Sequence, residues 1–399
     1  MRTSRFATAL GRFLLIAALA TAIAPRGAAA QDGPTPYVIG ETQTIISNVL
    51  GEERRVIVGL PQGYQAGSQR YPVMYLLDGD GHFHHTTGIT QFLANQGRMP
   101  QMIVVAIPNT DRTRDLTPEP DAEWAERAPT AGGADNFLSF ITDELMPWVN
   151  DNFRTADYSV LVGHSFGGLF ATYALLTRPQ VFDAYVSISP SLWWNDRALV
   201  EHARATVEQQ PWSGRYLYMT IGNEGGDMLP AAAAFASVLK GSAPDGFAWQ
   251  FVWMDNEDHG SIPHRTTYDA LEWVFADFRV PRDLTALGVA GLQQHFAMVS
   301  ERYFDLAVPE NLLNQLGYQY LGRGDVEHAL EALKLNAQMY PLSANVYDSL
   351  GDAYDAAGND QMALENYERA YRMAQEMDHP FLATYKANYD RMTQKLARQ

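Results

Sequence analysis

The residues whose types and spacing could do chemistry centre on Gly163-His164-Ser165-Phe166-Gly167-Gly168. The apolar run Val160-Leu161-Val162 precedes them, and Leu169-Phe170-Ala171-Thr172-Tyr173-Ala174-Leu175-Leu176 follows at helical spacing. A serine between flanking glycines, on a turn from strand to helix, is the signature of a nucleophile elbow. Such a turn strains the serine's backbone, and side chains at its flanks would collide with the neighbouring strand or helix. The turn also sets Ser165 at a helix N-terminus, where the N–H of Phe166 can stabilise an oxyanion. The alternative is a glycine-rich turn with a spectator serine.

A nucleophilic serine needs a base, and the base needs a carboxylate to orient it. Along chains with such an elbow the order is serine, acid, histidine. Past Ser165, His295, His328 and His379 fall in a helical tail, and His202 falls on a surface helix. His259, in Asn256-Glu257-Asp258-His259-Gly260-Ser261, follows a terminal strand and is the expected base; His264 on the same loop is the alternative. The acid should follow the preceding strand. Glu224 stands directly after it and is preferred to Asp227, one short turn later. Asp258 is a poor choice, because its neighbour His259 cannot easily fold back on it.

A second oxyanion donor is expected from the loop Leu76-Leu77-Asp78-Gly79-Asp80-Gly81, with Gly79 allowing close approach and the N–H of Asp80 donating. His82, His84 and His85 crowd this loop, but spacings of two and one do not suit a metal site on one helix face. His82 and Phe83 are expected to line the pocket floor or pack the loop. Arg112 and Arg114, in Asn109-Thr110-Asp111-Arg112-Thr113-Arg114-Asp115-Leu116-Thr117-Pro118, either hold an anionic, oxygen-rich substrate or brace the loop through an Arg–Asp network. Trp193 and Trp194, in Ser189-Pro190-Ser191-Leu192-Trp193-Trp194, would bind sugars, aryl groups or acyl chains if exposed, though at least one is expected in the core. This chemistry requires no cofactor.

These residues need a scaffold. Strands are predicted over 38–48, 54–60, 72–77, 102–107, 159–162, 184–188, 216–221 and 249–254. Helical patterns over 136–149, 168–177, 198–208, 230–239 and 267–278 alternate with the later strands, while 118–133 reads as an irregular excursion. The alternation predicts a mostly parallel sheet covered on both faces, with catalytic residues at the strands' carboxyl ends. From about residue 287 the chain reads as helix. There Leu316, Gly317, Tyr320, Gly324 and Ala329 recur as Leu350, Gly351, Tyr354, Gly358 and Ala363, each 34 residues on, the tetratricopeptide period. Helices around 292–304 and 383–396 should cap the stack, the first docking on the catalytic part.

The basic start, the short apolar core Phe13-Leu14-Leu15-Ile16-Ala17-Ala18-Leu19-Ala20 and Ala28-Ala29-Ala30 describe a secretory leader too short to span a membrane. We therefore expect a leader over 1–30, a catalytic domain over 31–283, a helical-repeat domain over 284–399, and a periplasmic or secreted location. The net charge of −17 disfavours nucleic acid and anionic membranes. Without cysteine there is no disulfide, thiolate metal site or cysteine nucleophile.

With these pieces placed, residues 36–283 resemble the α/β-hydrolase branch that holds esterase D, enterobactin-type siderophore esterases, feruloyl esterases and mycolyltransferases. The likeness rests on Tyr71-Pro72-Val73-Met74-Tyr75-Leu76-Leu77-Asp78-Gly79, the 109–118 and 189–194 segments, the Ser165 elbow and the His259-Gly260-Ser261 loop. It implies Ser165 as nucleophile, His259 as base, Phe166 and Asp80 as oxyanion donors, and hydrolysis of a small-molecule ester. The family's acid varies. The same residues would serve an acyltransferase. A third reading is a non-catalytic scaffold whose repeats bind a protein partner or a second copy.

Overall fold

Alternate residues of the central strands serve opposite faces of a single sheet, and this explains their continuous apolar runs. A computed structural model describes residues 36–377 and 379–398; the expected leader lies outside them. Pro36 to Val38 carry neither helix nor strand. From Ile39 onward the strands are β1 (Glu41–Ser47), β2 (Glu52–Gly59), β3 (Tyr71–Leu77), β4 (Ile103–Ile107), β5 (Thr155–His164), β6 (Ala184–Ile188), β7 (Tyr216–Gly222) and β8 (Ala248–Met254). They form one sheet in the order β1-β2-β4-β3-β5-β6-β7-β8. β1 and β2 are antiparallel, as β2 is to β4, and the remaining pairs are parallel. This is the predicted α/β-hydrolase arrangement.

On one face Val73, Tyr75, Leu77, Leu161, Tyr185 and Met219 pack on Phe137, Phe170 and Phe235. These come from α4 (Ala134–Phe140), α6 (Phe166–Thr177) and α8 (Met228–Ser242). On the other face Met74, Leu76, Val160, Val162, Val186 and Tyr218 pack on α1 (Gly79–Asn95) and α9 (Ile262–Val274). The remaining helices of this part are α2 (Arg112–Leu116), α3 (Ala122–Arg127), α5 (Met146–Asn152) and α7 (Trp194–Thr206). A π-helical turn, Ile141–Leu145, joins α4 to α5 where one helix was predicted.

The sequence reading of 78–85 as a loop is corrected by α1. Gly79, Gly81 and Gly88 with a cluster of threonines give this segment poor helix propensity. Tertiary packing overrides it. Phe83, Thr86, Ile89, Thr90 and Leu93 are buried at helical spacing against the sheet. His82 and His85 stand three residues apart on this helix, so they share a face after all. The 118–133 excursion also contains a short helix, α3.

After β8 no strand occurs among the described residues. The tail comprises α10 (Gly288–Arg302), the hairpins α11 (Glu310–Gly322) with α12 (Val326–Met339) and α13 (Ala344–Ala356) with α14 (Asp360–Glu376), and α15 (Leu382–Leu396). Leu292, Phe296 and Val299 of α10 join the apolar cluster that holds Met74 and Phe275, and the cluster continues to Leu313 and Leu316 of α11. The tail therefore shares the sheet's core instead of hanging from a linker.

The period of 34 has a steric reading in the hairpins. A Cβ on Gly317 would stand 2.4 Å from the Leu333 side chain, and one on Gly351 would stand 2.6 Å from the Tyr367 ring. Gly322, in the same class of helix, has open space around it. Gly351→Ala is expected to destabilise the fold by about 1–3 kcal/mol through overpacking. Gly322→Ala is expected to be neutral or to stabilise by up to ~1 kcal/mol. Urea melts of the two variants test this, and equal midpoints would contradict it.

Candidate active site

Ser165 sits between β5 and α6 with φ 60° and ψ −113°, a left-handed backbone that a non-glycine residue adopts only under constraint. The constraints are local. Its N–H donates to the Ile188 carbonyl at 2.9 Å, and its own carbonyl accepts from Leu169 N at 2.9 Å and Ser191 N at 3.1 Å. A Cβ at Gly163 would stand 2.1 Å from the Gly167 carbonyl oxygen, so the elbow closes only with glycine there. Phe166 opens α6, where its N–H has no acceptor within the helix. The Ser165 hydroxyl meets Ser191 Oγ at 3.4 Å.

The fold brings Glu224 and His259 together. His259 Nδ1 meets Glu224 Oε2 at 2.6 Å. The carboxylate is 5% exposed and the imidazole 44%, so the Glu224 carboxylate is sequestered while the His259 ring is open to solvent. Glu224 Oε1 also accepts from Gly222 N at 3.1 Å and from Ser189 Oγ. Asp227 is engaged instead by Arg197, whose Nε donates at 2.7 Å. Asp258 Oδ1 caps its own loop, accepting from Gly260 N at 2.8 Å and Ser261 N at 2.9 Å. The His264 ring faces His85, with centroids 5.4 Å apart. The His259 ring lies against that of His164, the residue before the nucleophile, at 4.5 Å.

Asp80 is the second residue of α1, where its N–H too lacks an acceptor within the helix; its side chain pairs with Arg55 at 2.5 Å. Arg112 grips Asp78 with both arms, Nε to Oδ1 at 2.6 Å and Nη2 to Oδ2 at 3.0 Å, and donates to the His164 carbonyl at 3.1 Å. It also stacks over Phe166 at 5.4 Å. Burial pushes the Asp78 carboxyl up, but Arg112 and Asn109 outweigh it and hold the carboxyl below the usual range. Arg114 binds Asp115 at 2.7 Å and Glu52 at 2.6 and 3.1 Å, and Arg54 binds Asp115 at 2.6 Å. Both arginines offered as substrate ligands are thus committed to carboxylates of the fold, the bracing alternative. The physical reason is that Asp78, beside Arg112, and Asp115, beside Arg114, are largely out of water and in need of partners.

Trp193 is partly buried and donates Nε1 to Met228 Sδ at 2.9 Å, while Trp194 is buried, as expected of one of the pair. Both lie against Trp124 of α3, at 5.7 and 5.1 Å, and against Phe166, at 6.1 and 5.5 Å. An aromatic wall therefore flanks the Ser165 turn. Sequence reasoning missed Trp124, which stands in a segment without periodicity. It also missed Ser189 and Ser191, although their place at the carboxyl end of β6 was a usable signal. A cavity of about 1370 Å³ lies elsewhere: Tyr71 and Thr155 at the amino ends of β3 and β5 line it together with tail residues such as Tyr340 and Phe381.

Beneath the elbow His164, His82 and His85 form a run of rings, with centroid spacings of 5.6 and 5.2 Å and His82 Nδ1 to His85 Nε2 at 3.0 Å. Burial, then neighbouring His259 and His82, pull the His164 pKa down to about 3. Burial and the adjacent imidazoles pull His85 down to about 4. Each ring is held neutral in the fold but takes a proton near 6.5 once unfolded. The unfolded chain therefore binds more protons below that pH, and the stability these rings contribute is complete above about 6.5 and lost as pH falls towards about 4. We expect urea midpoints to drop between pH 7 and 5, with a shallower slope in His164→Leu. An unchanged slope in the variant would contradict this.

The sequence profile described as “Putative esterase” matches residues 47–259. A siderophore triacetylfusarinine C esterase of Aspergillus fumigatus is 35% identical over 199 residues, covering 44% of this chain and 65% of that protein. The chain thus spans just under two thirds of that relative. The uncharacterized protein YbbA of Bacillus subtilis is 30% identical over 243 residues, covering 57% of this chain and 94% of YbbA. Among solved structures, an IroE-like serine hydrolase from Shewanella oneidensis superposes with a TM-score of 0.66 at 29% identity, over 75% of this chain and 99% of that one. With its profile match spanning β2 to β8 and reaching His259, over more than half of the sequence and with Ser165 and Glu224 inside it, the chain belongs to the esterase family.

Proposed function

We propose that this chain is a serine carboxylic ester hydrolase acting through an acyl-enzyme. The observation that carries the reading is the 2.6 Å contact of His259 Nδ1 with the buried Glu224 carboxylate, beside a serine held at φ 60°. Glu224 fixes the imidazole so that Nδ1 carries the proton and Nε2 is left as the base. Ser165 Oγ attacks the ester carbonyl as His259 Nε2 takes its proton. The N–H groups of Phe166 and Asp80 stabilise the oxyanion. His259 then returns the proton to the leaving alcohol, and water, activated by the same ring, releases the acid.

The names of the relatives support a siderophore-type ester as substrate, with the Trp124–Trp193–Phe166 wall seating its bulk. An acyltransferase would use the same residues, with an alcohol in place of water. A non-catalytic scaffold is disfavoured by a site with a residue for each role. The apolar leader supports export to the periplasm or beyond; no described helix is long and apolar enough to cross a membrane. The period of 34 supports a tetratricopeptide reading of the tail, which offers a surface for a protein partner or a second copy.

A panel of p-nitrophenyl and catecholate esters tests the reading. Ser165→Ala is expected to abolish turnover. Glu224→Gln is expected to lower kcat by about 10²–10⁴-fold, whereas Asp227→Asn should change it by no more than about threefold. Turnover surviving Ser165→Ala, or the larger loss falling on Asp227, would contradict the assignment.

A further inference from the structure

The turn after β6, Ser189-Pro190-Ser191, touches both ends of the acid–base–nucleophile chain. Ser189 is fully buried, and its backbone is left-handed at φ 40°. Its N–H is tied to the Thr220 carbonyl at 2.9 Å, and its hydroxyl donates to Glu224 Oε1, the oxygen that His259 does not use. Two residues on, Ser191 N holds the carbonyl of Ser165 at 3.1 Å, and Ser191 Oγ lies 3.4 Å from Ser165 Oγ. The turn is seated against the start of α6. A Cβ on Gly168 would stand 2.8 Å from the Ile188 carbonyl oxygen and 3.0 Å from Pro190 Cα.

We infer that Ser189 is a positioning residue for the acid, and that its turn sets the distance between the acid and the nucleophile. The inference rests on the ester-hydrolase reading given above. The reasoning is one of hydrogen-bond supply. A buried carboxylate has acceptor sites on both oxygens and rotates about its Cγ–Cδ bond unless both are occupied. Oε2 takes the imidazole. Oε1 takes the Gly222 N–H and the Ser189 hydroxyl, which face it from two sides and fix the plane of the group. Glycine would be the less strained residue at φ 40°, so the backbone alone gives no reason for a serine there. The hydroxyl is the feature that glycine could not supply. Because the same turn is bonded to Ser165 through Ser191, any shift of the elbow carries Ser189, and with it Glu224 and His259, in the same direction.

Two variants separate the hydroxyl from the backbone. Ser189→Ala removes the donor and keeps the Cβ; Ser189→Gly removes the donor and relieves the strain. Both are expected to lower kcat roughly 10- to 100-fold with little change in KM, and Ser189→Gly should do so without losing thermal stability. A readout independent of turnover is the low-field proton resonance of His259 Nδ1–H, observed by NMR in the full chain. It is expected to move or broaden in both variants. If wild-type protein hydrolyses esters and either variant keeps its kcat and its Nδ1–H resonance, the inference is overturned. If wild-type protein hydrolyses none of the esters, the ester-hydrolase reading fails instead, while the resonance still reports whether Ser189 holds Glu224: moved, it supports that contact; unmoved, it removes it.

Discussion

The structure depends most on the burial of one carboxylate. Glu224 is almost entirely out of water, and a charge so placed is tolerable only if its oxygens are bonded. The bonds come from separate parts of the sheet: Gly222 at the end of β7, Ser189 after β6, and His259 after β8. Three neighbouring parallel strands must be in register for them to meet, and the pairings of Ile188 with Thr220 and of Gly222 with Met254 set that register. The Glu224–His259 contact is therefore a product of the sheet's alignment as much as of any loop.

A second consequence concerns the face opposite the aromatic wall. The α1 and α9 side carries the run of neutral histidines beneath the elbow, and the tail packs on this same apolar layer through Leu292, Phe296 and Leu313. A chain that buries its repeat helices against its own sheet has spent part of their surface on the fold. The cavity at the strand amino ends, lined by residues of α11, α13 and α15, does not include Ser165. The Ser165 turn and this cavity thus lie at opposite ends of the strands.

Much of this was legible from the residues. Buried parallel strands write themselves as runs such as Val73-Met74-Tyr75-Leu76-Leu77, and the elbow's glycines announce a close approach that no other residue permits. Glu224 and His259, which the structure brings to 2.6 Å, stood out in the sequence because they directly follow consecutive strands. What failed has identifiable causes. The helix from Gly79 was hidden by glycine and threonine, since its stability comes from the sheet it packs on and not from propensity. Arg112 and Arg114 have the right chemistry for an anionic substrate, but a sequence does not say that Asp78, Asp115 and Glu52 converge on them from distant positions. Trp124 gains its place only through tertiary contacts.

The central claim is that Ser165 becomes covalently bonded in turnover. The most direct measurement is mass spectrometry of the full chain after reaction with a fluorophosphonate, which captures an activated serine as a stable adduct. The account predicts one adduct per chain, mapped by peptide sequencing to Ser165, and strongly slowed labelling in Glu224→Gln. An adduct at another serine, or labelling that proceeds equally fast without Glu224, would contradict it.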